Sequence, residues 1–389
     1  MKSRILLMAA LVMGAALLPR GAAAQLSVTG QHIIWICATL VDVDPERNLV
    51  YATGCPTVEV IDGGSNTVVA TVPVGQWPVD VAVNPAANLI YVAKSAKEGS
   101  SIWVIDGTTN TVVATVPVDL RPVGVAVNPN TNLIYVTGGD NVSVIDGGTN
   151  TVVANVALGV WNWPQGVAVN PATNRIYVTN GLSGTVSVID GGANTVVATV
   201  PVGSSPEGVA VNPNTNLIYV VNRDSNTVSV IDGGTNTVVA TVPVGQWPVD
   251  VAVNPDTNRI YVTGGWYVWV IDGATNSLLY TVDAGGSPVG VAVNPNTNLI
   301  YVGLHIADVV GVGVIYDSPS AAPPPPPPPP PSPTPPPPPT PTACPPAPAP
   351  PPADGMEWVA LQCGTCSAVA TTYPDNTPIA TIAGAAVGV

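Results

Sequence analysis

Short runs of residues in which Val or Ile alternates with small or polar residues follow one another along most of the chain. Between positions 165 and 202 there are four such runs, at 166–169, 175–178, 186–189 and 196–200. A hydrophobic period of two predicts half-buried β-strands, and the Asn, Pro, Asp and Gly residues between the runs predict tight turns. Four short strands in about forty residues are typical of one β-propeller blade. The runs show no helical period of 3.6, which excludes a helical repeat.

This unit of four runs recurs seven times in register. Its first run ends at an Asn-Pro pair, or once at Asp-Pro, and successive pairs are 40 to 44 residues apart. The pairs begin at Asp44, Asn84, Asn128, Asn170, Asn212, Asn254 and Asn294. Repetition at this period predicts an all-β fold, a seven-bladed β-propeller of four-stranded antiparallel blades. In six units the first run carries Ala between two Val, which fits strands crowded around a central axis.

The two ends of the repeat region do not match. The last unit supplies only three runs, whereas residues 26–36 form a spare run before the first unit. We therefore expect an N-terminal strand to complete the seventh blade and close the ring, which removes open sheet edges. Cys37 follows this strand and Cys55 lies between the second and third runs of unit one, so we expect a disulfide between them, worth about 3 kcal/mol. The alternative is two buried free thiols.

The segments outside the repeats have compositions of their own. Residues 1–24 combine early positive charges, an apolar stretch and Ala-Ala-Ala, as in a secretory signal peptide. We expect the propeller to occupy residues 25–320 and the proline runs of 321–353 to form an extended polyproline II linker. Residues 354–389 carry a Cys-x-x-Cys motif and are too short for an ordinary core, which predicts a disulfide-stapled or partly disordered tail.

Export and charge limit the classes of partner. Without residues 1–24 the chain has 7 Lys and Arg against 24 Asp and Glu, so its formal charge changes from −14 to −17. This charge disfavours binding to nucleic acid and to anionic membranes. No later apolar run is long enough for a transmembrane segment. We expect an exported protein, extracellular, periplasmic or on the cell surface, with a monomeric propeller.

Two segments resemble a known family of repeats. Residues 176–180 read Ile-Tyr-Val-Thr-Asn and residues 218–222 read Ile-Tyr-Val-Val-Asn, and both lie between the Asn-Pro and Val-Ile-Asp anchors. They resemble the YVTN family of β-propeller repeats of prokaryotic exported and surface-layer proteins, over residues 38–317. The Asn of the motif is replaced by Lys94, Gly138, Gly264 and Leu304. The resemblance implies a seven-bladed scaffold outside the cytoplasm, with binding or cell-surface roles and no established catalytic set.

The chain offers little conventional catalytic chemistry. It contains two histidines, His32 and His305, so a metal centre or a catalytic triad would depend on one of them. We expect no metal, no cofactor and no enzymatic activity. The alternative is a metal-assisted lyase or hydrolase that uses His305, in the loop between the second and third runs of unit seven, together with a rim carboxylate. The repeated Asp of Val-Ile-Asp-Gly is expected to accept hydrogen bonds from its own turn.

Departures from the repeat are more informative. Residues 70–85 are identical to 240–255, and both contain Gly-Gln-Trp-Pro-Val-Asp, whereas four other units have Gly in place of this Asp. Asp80 and Asp250 should therefore enter the inner strands near one mouth of the central channel. Trp103 and Trp269 lie inside third runs and are expected in the core. The candidate ligand-binding residues, expected on one face, are Trp77, Asp80, Arg121, Trp161, Trp163, Glu207, Trp247, Asp250, Trp266 and His305.

Aromatic platforms with a few carboxylates suit sugar rings or cationic groups. We therefore expect a non-catalytic extracytoplasmic β-propeller scaffold that binds a glycan, peptide or protein partner through one face of the ring. A structural component of the cell surface is a further alternative. The competing interpretation of the tryptophans is that they pack between neighbouring loops and that the identical segments record a recent duplication.

Overall fold

The computed structural model describes residues 32–36, 38–95, 99–118, 121–306, 309–317, 357–363 and 366–372. These residues form thirty strands and no helix. The chain divides into two compact units, Met1–Ser320 and Ala321–Val389. None of the described residues belongs to a helix that is long and apolar enough to cross a membrane.

The first unit is a seven-bladed β-propeller of four-stranded antiparallel sheets, which confirms the predicted all-β fold. Blade one is β2–β5 (Ala38–Asp44, Leu49–Gly54, Thr57–Asp62, Thr67–Pro73), blade two β6–β9 (Pro78–Asn84, Leu89–Lys94, Ser101–Asp106, Thr111–Pro117) and blade three β10–β13 (Pro122–Asn128, Leu133–Gly138, Asn141–Asp146, Thr151–Ala157). Blade four is β14–β17 (Pro164–Asn170, Arg175–Asn180, Thr185–Asp190, Thr195–Pro201), blade five β18–β21 (Pro206–Asn212, Leu217–Asn222, Thr227–Asp232, Thr237–Pro243) and blade six β22–β25 (Pro248–Asn254, Arg259–Gly264, Tyr267–Asp272, Ser277–Asp283). Blade seven joins β26–β28 (Ser287–Asn294, Leu299–Ile306, Val309–Tyr316) to β1 (His32–Ile34).

The closing strand is described over three residues. In β1, His32, Ile33 and Ile34 pair antiparallel with β28, at the outer edge of blade seven. Residues 26–31 lie outside the described residues, so closure of the ring by the whole of 26–36 stays a prediction. Cys55 is disulfide-bonded. Its predicted partner, Cys37, lies outside the described residues, and the pairing also stays a prediction.

The remaining segments outside the repeats are described only in part. The predicted signal peptide, 1–24, and the proline-rich linker, 321–353, lie outside the described residues. In the second unit, β29 (Glu357–Cys363) and β30 (Cys366–Thr372) form a two-stranded antiparallel sheet, and Cys363 is opposite Cys366 in its register.

The core forms between neighbouring blades. Each second strand carries a tyrosine with at most 1% of its surface exposed, and Val and Ile residues of both adjoining blades surround it. These tyrosines are Tyr51, Tyr91, Tyr135, Tyr177, Tyr219, Tyr261 and Tyr301. Successive side chains of a strand point to opposite faces of its sheet, and both faces pack against a neighbouring blade. Both faces therefore need apolar side chains, which explains why the repeats are rich in Val and Ile.

Two kinds of tight turn form one face of the ring. Both end in an Asn with a positive φ, such as Asn174 (φ 52°) after the first strand of blade four and Asn194 (φ 52°) after its third strand. Asn tolerates this left-handed conformation better than other residues with a Cβ. Asp62 shows the role of the repeated Asp, because its Oδ1 accepts hydrogen bonds from the backbone N–H groups of Gly64 (3.1 Å) and Ser65 (2.7 Å). The turn role predicted for this Asp is confirmed.

The Asn of each Asn-Pro pair joins its blade to the next one. Asn84 Nδ2 donates to Asn132 Oδ1 of blade three at 2.8 Å, and five equivalent bonds continue around the ring to blade one. Blade one has Asp44 at this position, and a carboxylate cannot donate. The buried Oδ1 of Asn88 therefore accepts no hydrogen bond from the described residues. Arg47 bridges this seam instead, from Asp44 Oδ2 (2.8 Å) to the Pro85 carbonyl (3.0 Å).

Candidate functional site

The opposite face of the ring carries the tryptophans. It is built from the loops that lead from each fourth strand to the next blade and from the loops between second and third strands. Six of the nine tryptophans lie on this face or at its edge, and each has 60–80% of its surface exposed. We call this surface the tryptophan face, defined by Trp35, Trp77, Trp161, Trp163, Trp247 and Trp266.

The backbone of these loops does not require tryptophan. Trp77, Trp163 and Trp247 each precede the proline that begins a blade, with φ values of 69°, 52° and 55°. Ser205 occupies the same position before blade five, with φ 51°. A bulky residue in this conformation costs about 1–3 kcal/mol, and such strain concentrates at functional sites. Since Ser205 forms the same turn, the three indoles are neither needed for the loop nor buried by it.

A groove of about 600 Å³ runs over blades three and four. Trp161 (80% exposed) and Trp163 (62%) stand on the loop between these blades. Between them, Asn162 Nδ2 donates a hydrogen bond to the Leu158 carbonyl, which holds the loop in place. The lining consists of Ser95, Arg121, Val123, Gly139, Asp140, Trp161, Trp163, Pro164 and Leu182.

Arg121 differs from the other described arginines. Arg47, Arg175, Arg223 and Arg259 each form an ion pair with an Asp or Glu. Within the described part of the chain, Arg121 has no carboxylate within ion-pair distance. Arg121 is exposed, and its side chain lines the groove beside the two tryptophans.

A second aromatic groove, of about 330 Å³, lies on blade six. Trp247, Trp266 and Tyr267 line it, and the buried Trp269 forms its floor. The rings of Tyr267 and Trp269 are tilted by 44°, with centroids 6.4 Å apart. A methyl group on Gly245 would overlap Trp269, so the preceding loop depends on this glycine.

Blade two repeats part of this arrangement. Trp103 packs 3.6 Å from the Cβ position of Gly75, and Lys94 Nζ lies 5.7 Å from the centroid of the Trp103 ring. Trp269 is a core residue, as predicted, with 4% of its surface exposed, whereas Trp103 is partly buried at the edge of the core.

The Asn of the YVTN-like motif has a structural role that accounts for two of its replacements. Asn222 Nδ2 donates to Ser229 Oγ at 2.9 Å, and its Oδ1 accepts the N–H of Gly203 at 3.0 Å. These bonds attach the incoming loop to blade five. Blades two and six have Lys94 or Gly264 instead of the Asn, and tryptophan instead of the Ser. Aromatic packing therefore replaces the hydrogen-bonded attachment in the two blades that follow Gly-Gln-Trp-Pro.

The predicted carboxylates line the mouth of the central channel, in a cavity of about 240 Å³. Asp80 Oδ2 accepts the backbone N–H of Val125 in blade three at 2.8 Å. Asp250 Oδ2 accepts that of Val291 in blade seven at 3.0 Å. The other oxygen of each carboxylate accepts an N–H from its own strand. This geometry gives both aspartates the role of a clamp between neighbouring blades.

A third channel carboxylate was absent from the sequence-based candidates. Asp42 stands where the other six blades have Ala, and its Oδ2 accepts the N–H of Val83 in blade two at 2.8 Å. Burial raises the pKa of Asp42 and of Asp250 to about 6 and that of Asp80 to about 8. The departure from Ala was the signal that could have identified Asp42. Trp35 was also missed, because it lies outside the repeats.

The last two candidates occupy different environments. Glu207 lines the channel mouth and accepts a hydrogen bond from Arg223 Nη1 at 3.0 Å. Burial raises the Glu207 pKa, and Arg223 opposes this rise. His305 lies inside β27, not in the predicted loop, because β27 and β28 continue pairing to Ile306 and Val309.

His305 lines none of the three cavities. The described residues contain no group of three or more His, Cys, Asp or Glu arranged to hold a metal ion.

Comparison with known proteins shows the fold. The chain matches no family model and no curated protein. Among solved structures, it is similar to a chain of the hydrazine synthase of Kuenenia stuttgartiensis, with a TM-score of 0.64 and 18% sequence identity over 77% of this chain and 99% of that chain. At this identity the likeness supports the fold alone, and the resemblance to the YVTN family stays a prediction.

Proposed function

We propose that this protein is a non-catalytic, extracytoplasmic binding scaffold whose tryptophan face holds a glycan, peptide or protein partner. The observation that carries this proposal is the set of six tryptophans, each at least 60% exposed, on that face. Large exposed apolar side chains that gather on one surface mark interaction sites. Ser205 supports the proposal, because it adopts the same backbone conformation as the tryptophans at the matching position. The loop backbone therefore does not require an indole there.

The other surfaces of the ring support the same location. The outer strands expose short pairs of aliphatic residues, such as Val152 with Val153 and Val238 with Val239, along the edge of each blade. The opposite face consists of Asn-Pro and Asp-Gly turns whose polar groups bond to one another. Neither surface presents a described tryptophan as exposed as those of the tryptophan face.

The signal-like residues 1–24 and the YVTN-like repeats support the extracytoplasmic part of the proposal. Sequencing the N-terminus of protein recovered from the medium, periplasm or cell surface of the producing cells tests it. A mature protein beginning near Gln25 is the expected result, and an intact Met1 terminus inside the cytoplasm would contradict export.

Binding is tested with the mature full chain on arrays of glycans, peptides and proteins. We expect Trp161→Ala with Trp163→Ala, or Trp247→Ala with Trp266→Ala, to weaken the affinity for the bound ligand by at least about fivefold, since one lost stacking contact is worth about 1 kcal/mol. Tyr316→Ala is the matched control, because this half-exposed aromatic lies at the end of β28 toward the opposite face. Binding that survives all four tryptophan substitutions, or no ligand on any array, would refute the proposal.

A further inference from the structure

We infer that the groove over blades three and four binds the acidic rings of an anionic polysaccharide, with Arg121 contacting the ring carboxylate. The inference rests on the proposed function and names the ligand class of one part of the tryptophan face. It is carried by one juxtaposition: an arginine without an ion-pair partner among the described residues, a carboxylate and two exposed indoles line a single cavity of about 600 Å³.

The Arg121 guanidinium points to an anionic group on the ligand. The mature chain has a formal charge of −17, and the four other described arginines are neutralised by carboxylates. Arg121 is exposed, and its side chain lines the groove. A guanidinium binds a carboxylate through two parallel hydrogen bonds, which gives direction as well as strength. Because the whole protein repels anions at long range, recognition depends on this close contact.

The indoles supply the second element of recognition. Trp161 and Trp163 are two residues apart on one loop, both with positive φ, and Asn162 fixes the backbone between them. Exposed and held in this way, they offer flat apolar surfaces at little further cost in conformational entropy. The C–H face of a pyranose is flat, rigid and of similar width, so successive rings of a sugar chain can pack on successive indoles.

Asp140 favours a sugar over an acidic peptide. A uronate ring carries a carboxylate for Arg121, hydroxyl donors for the Asp140 carboxylate and a C–H face for an indole, all on one rigid unit. An aspartate or glutamate side chain of a peptide offers a carboxylate but no hydroxyl donor. A ring with several sulfates would be repelled by Asp140, and a neutral ring would leave Arg121 without an anionic partner.

The test is calorimetric titration of the mature full chain with hexamers of galacturonate, of guluronate and of hyaluronan. The carboxyl-reduced form of each hexamer, sulfated heparin and polyglutamate are the comparison probes. We expect at least one uronate hexamer to bind, its carboxyl-reduced form to bind about tenfold more weakly, and heparin and polyglutamate not to compete.

Variants identify the groove. Arg121→Gln should weaken the uronate hexamer by about tenfold and leave the affinity for the reduced hexamer within about twofold. Arg175→Gln is the control, because Arg175 pairs with Asp190 at 2.6 Å at the turns of the opposite face. Trp161→Ala with Trp163→Ala should weaken both hexamers.

Three outcomes would overturn the inference. The first is that no uronate hexamer binds. The second is that Arg121→Gln leaves the affinity for the uronate hexamer unchanged, and the third is that polyglutamate binds through Arg121 while the uronates do not. In each of these cases the proposed function still stands if another ligand depends on the tryptophans. If no ligand of any class responds to the tryptophan substitutions, the proposed function fails as well, so the two failures are distinguishable.

Discussion

The carboxylates of the central channel predict a propeller that loses stability as the pH rises. Burial raises the pKa of Asp80 from 3.8 to about 8 in the folded protein. Well below pH 3.8 the side chain is protonated in both the unfolded and the folded states. As the pH increases, the unfolded chain ionises first, while the folded protein keeps its proton up to about pH 8. The free energy of unfolding therefore decreases through this window.

The size of the effect follows from the pKa. A rise from 3.8 to about 8 corresponds to at most about 5 kcal/mol between pH 4 and pH 8, at about 1.4 kcal/mol for each pH unit. Asp80 is only partly buried, so water in the channel screens the charge. We therefore expect Asp80 to account for about 2 kcal/mol. Asp80→Asn removes this dependence and also loses one acceptor for a backbone N–H.

The assay is urea unfolding of the wild-type protein and of Asp80→Asn at several pH values from 5 to 9. The wild-type free energy of unfolding should fall with pH, and the variant should show a shallower slope, since Asp42 and Asp250 still titrate near pH 6. Asp106→Asn is the control, because the N–H of Thr109 lowers the Asp106 pKa and its contribution changes only in acid. Equal slopes for wild type and Asp80→Asn would refute the reasoning.

Three further predictions concern the stability of the ring. Asp317→Ala removes the buried carboxylate that accepts hydrogen bonds from Arg259, Tyr261 and Tyr280, and it should lower the free energy of unfolding by about 3 kcal/mol in urea; a change below about 1 kcal/mol would contradict this. Gly166→Ala places a Cβ 2.6 Å from a carbonyl oxygen of blade five and should lower stability by about 2 kcal/mol, whereas Gly64→Ala meets only an ordinary 3.4 Å contact and should not. Deleting residues 25–36 exposes the edge of β28 and should lower the melting temperature sharply; an unchanged value would refute closure by this segment.

The fold was predictable because its signals are local. Alternation of Val and Ile, and turns ending in Asn, are properties of a few neighbouring residues, and their repetition identified every blade. Asp80 and Asp250 have a role that local signals do not reveal. Their departure from Gly was visible, but the N–H groups that they bind lie on the next blade and become neighbours only when the ring closes. Their clamp role therefore required the structure.

The groove over blades three and four shows the same limit. Arg121, Trp161 and Trp163 were recognisable as departures from the repeat. Asp140 and Leu182 were not, because each occupies a loop between second and third strands, where the units differ in most residues. Such loops meet the incoming loops of the next blade only through the packing of whole blades. The ligand surface is thus a property of the ring and not of one repeat.

The repeats also explain why function should reside on the tryptophan face. On the opposite face each turn must end in a left-handed residue and must offer polar groups to the neighbouring blade, so nearly every unit keeps Asn there. On the tryptophan face a loop has only to deliver the chain to the next inner strand. Ser205 does this as well as Trp163, in a loop two residues shorter. Because the fold places few demands on these loops, they can carry exposed tryptophans and Arg121. Since the fold does not require these side chains, their presence on the tryptophan face indicates a role in binding.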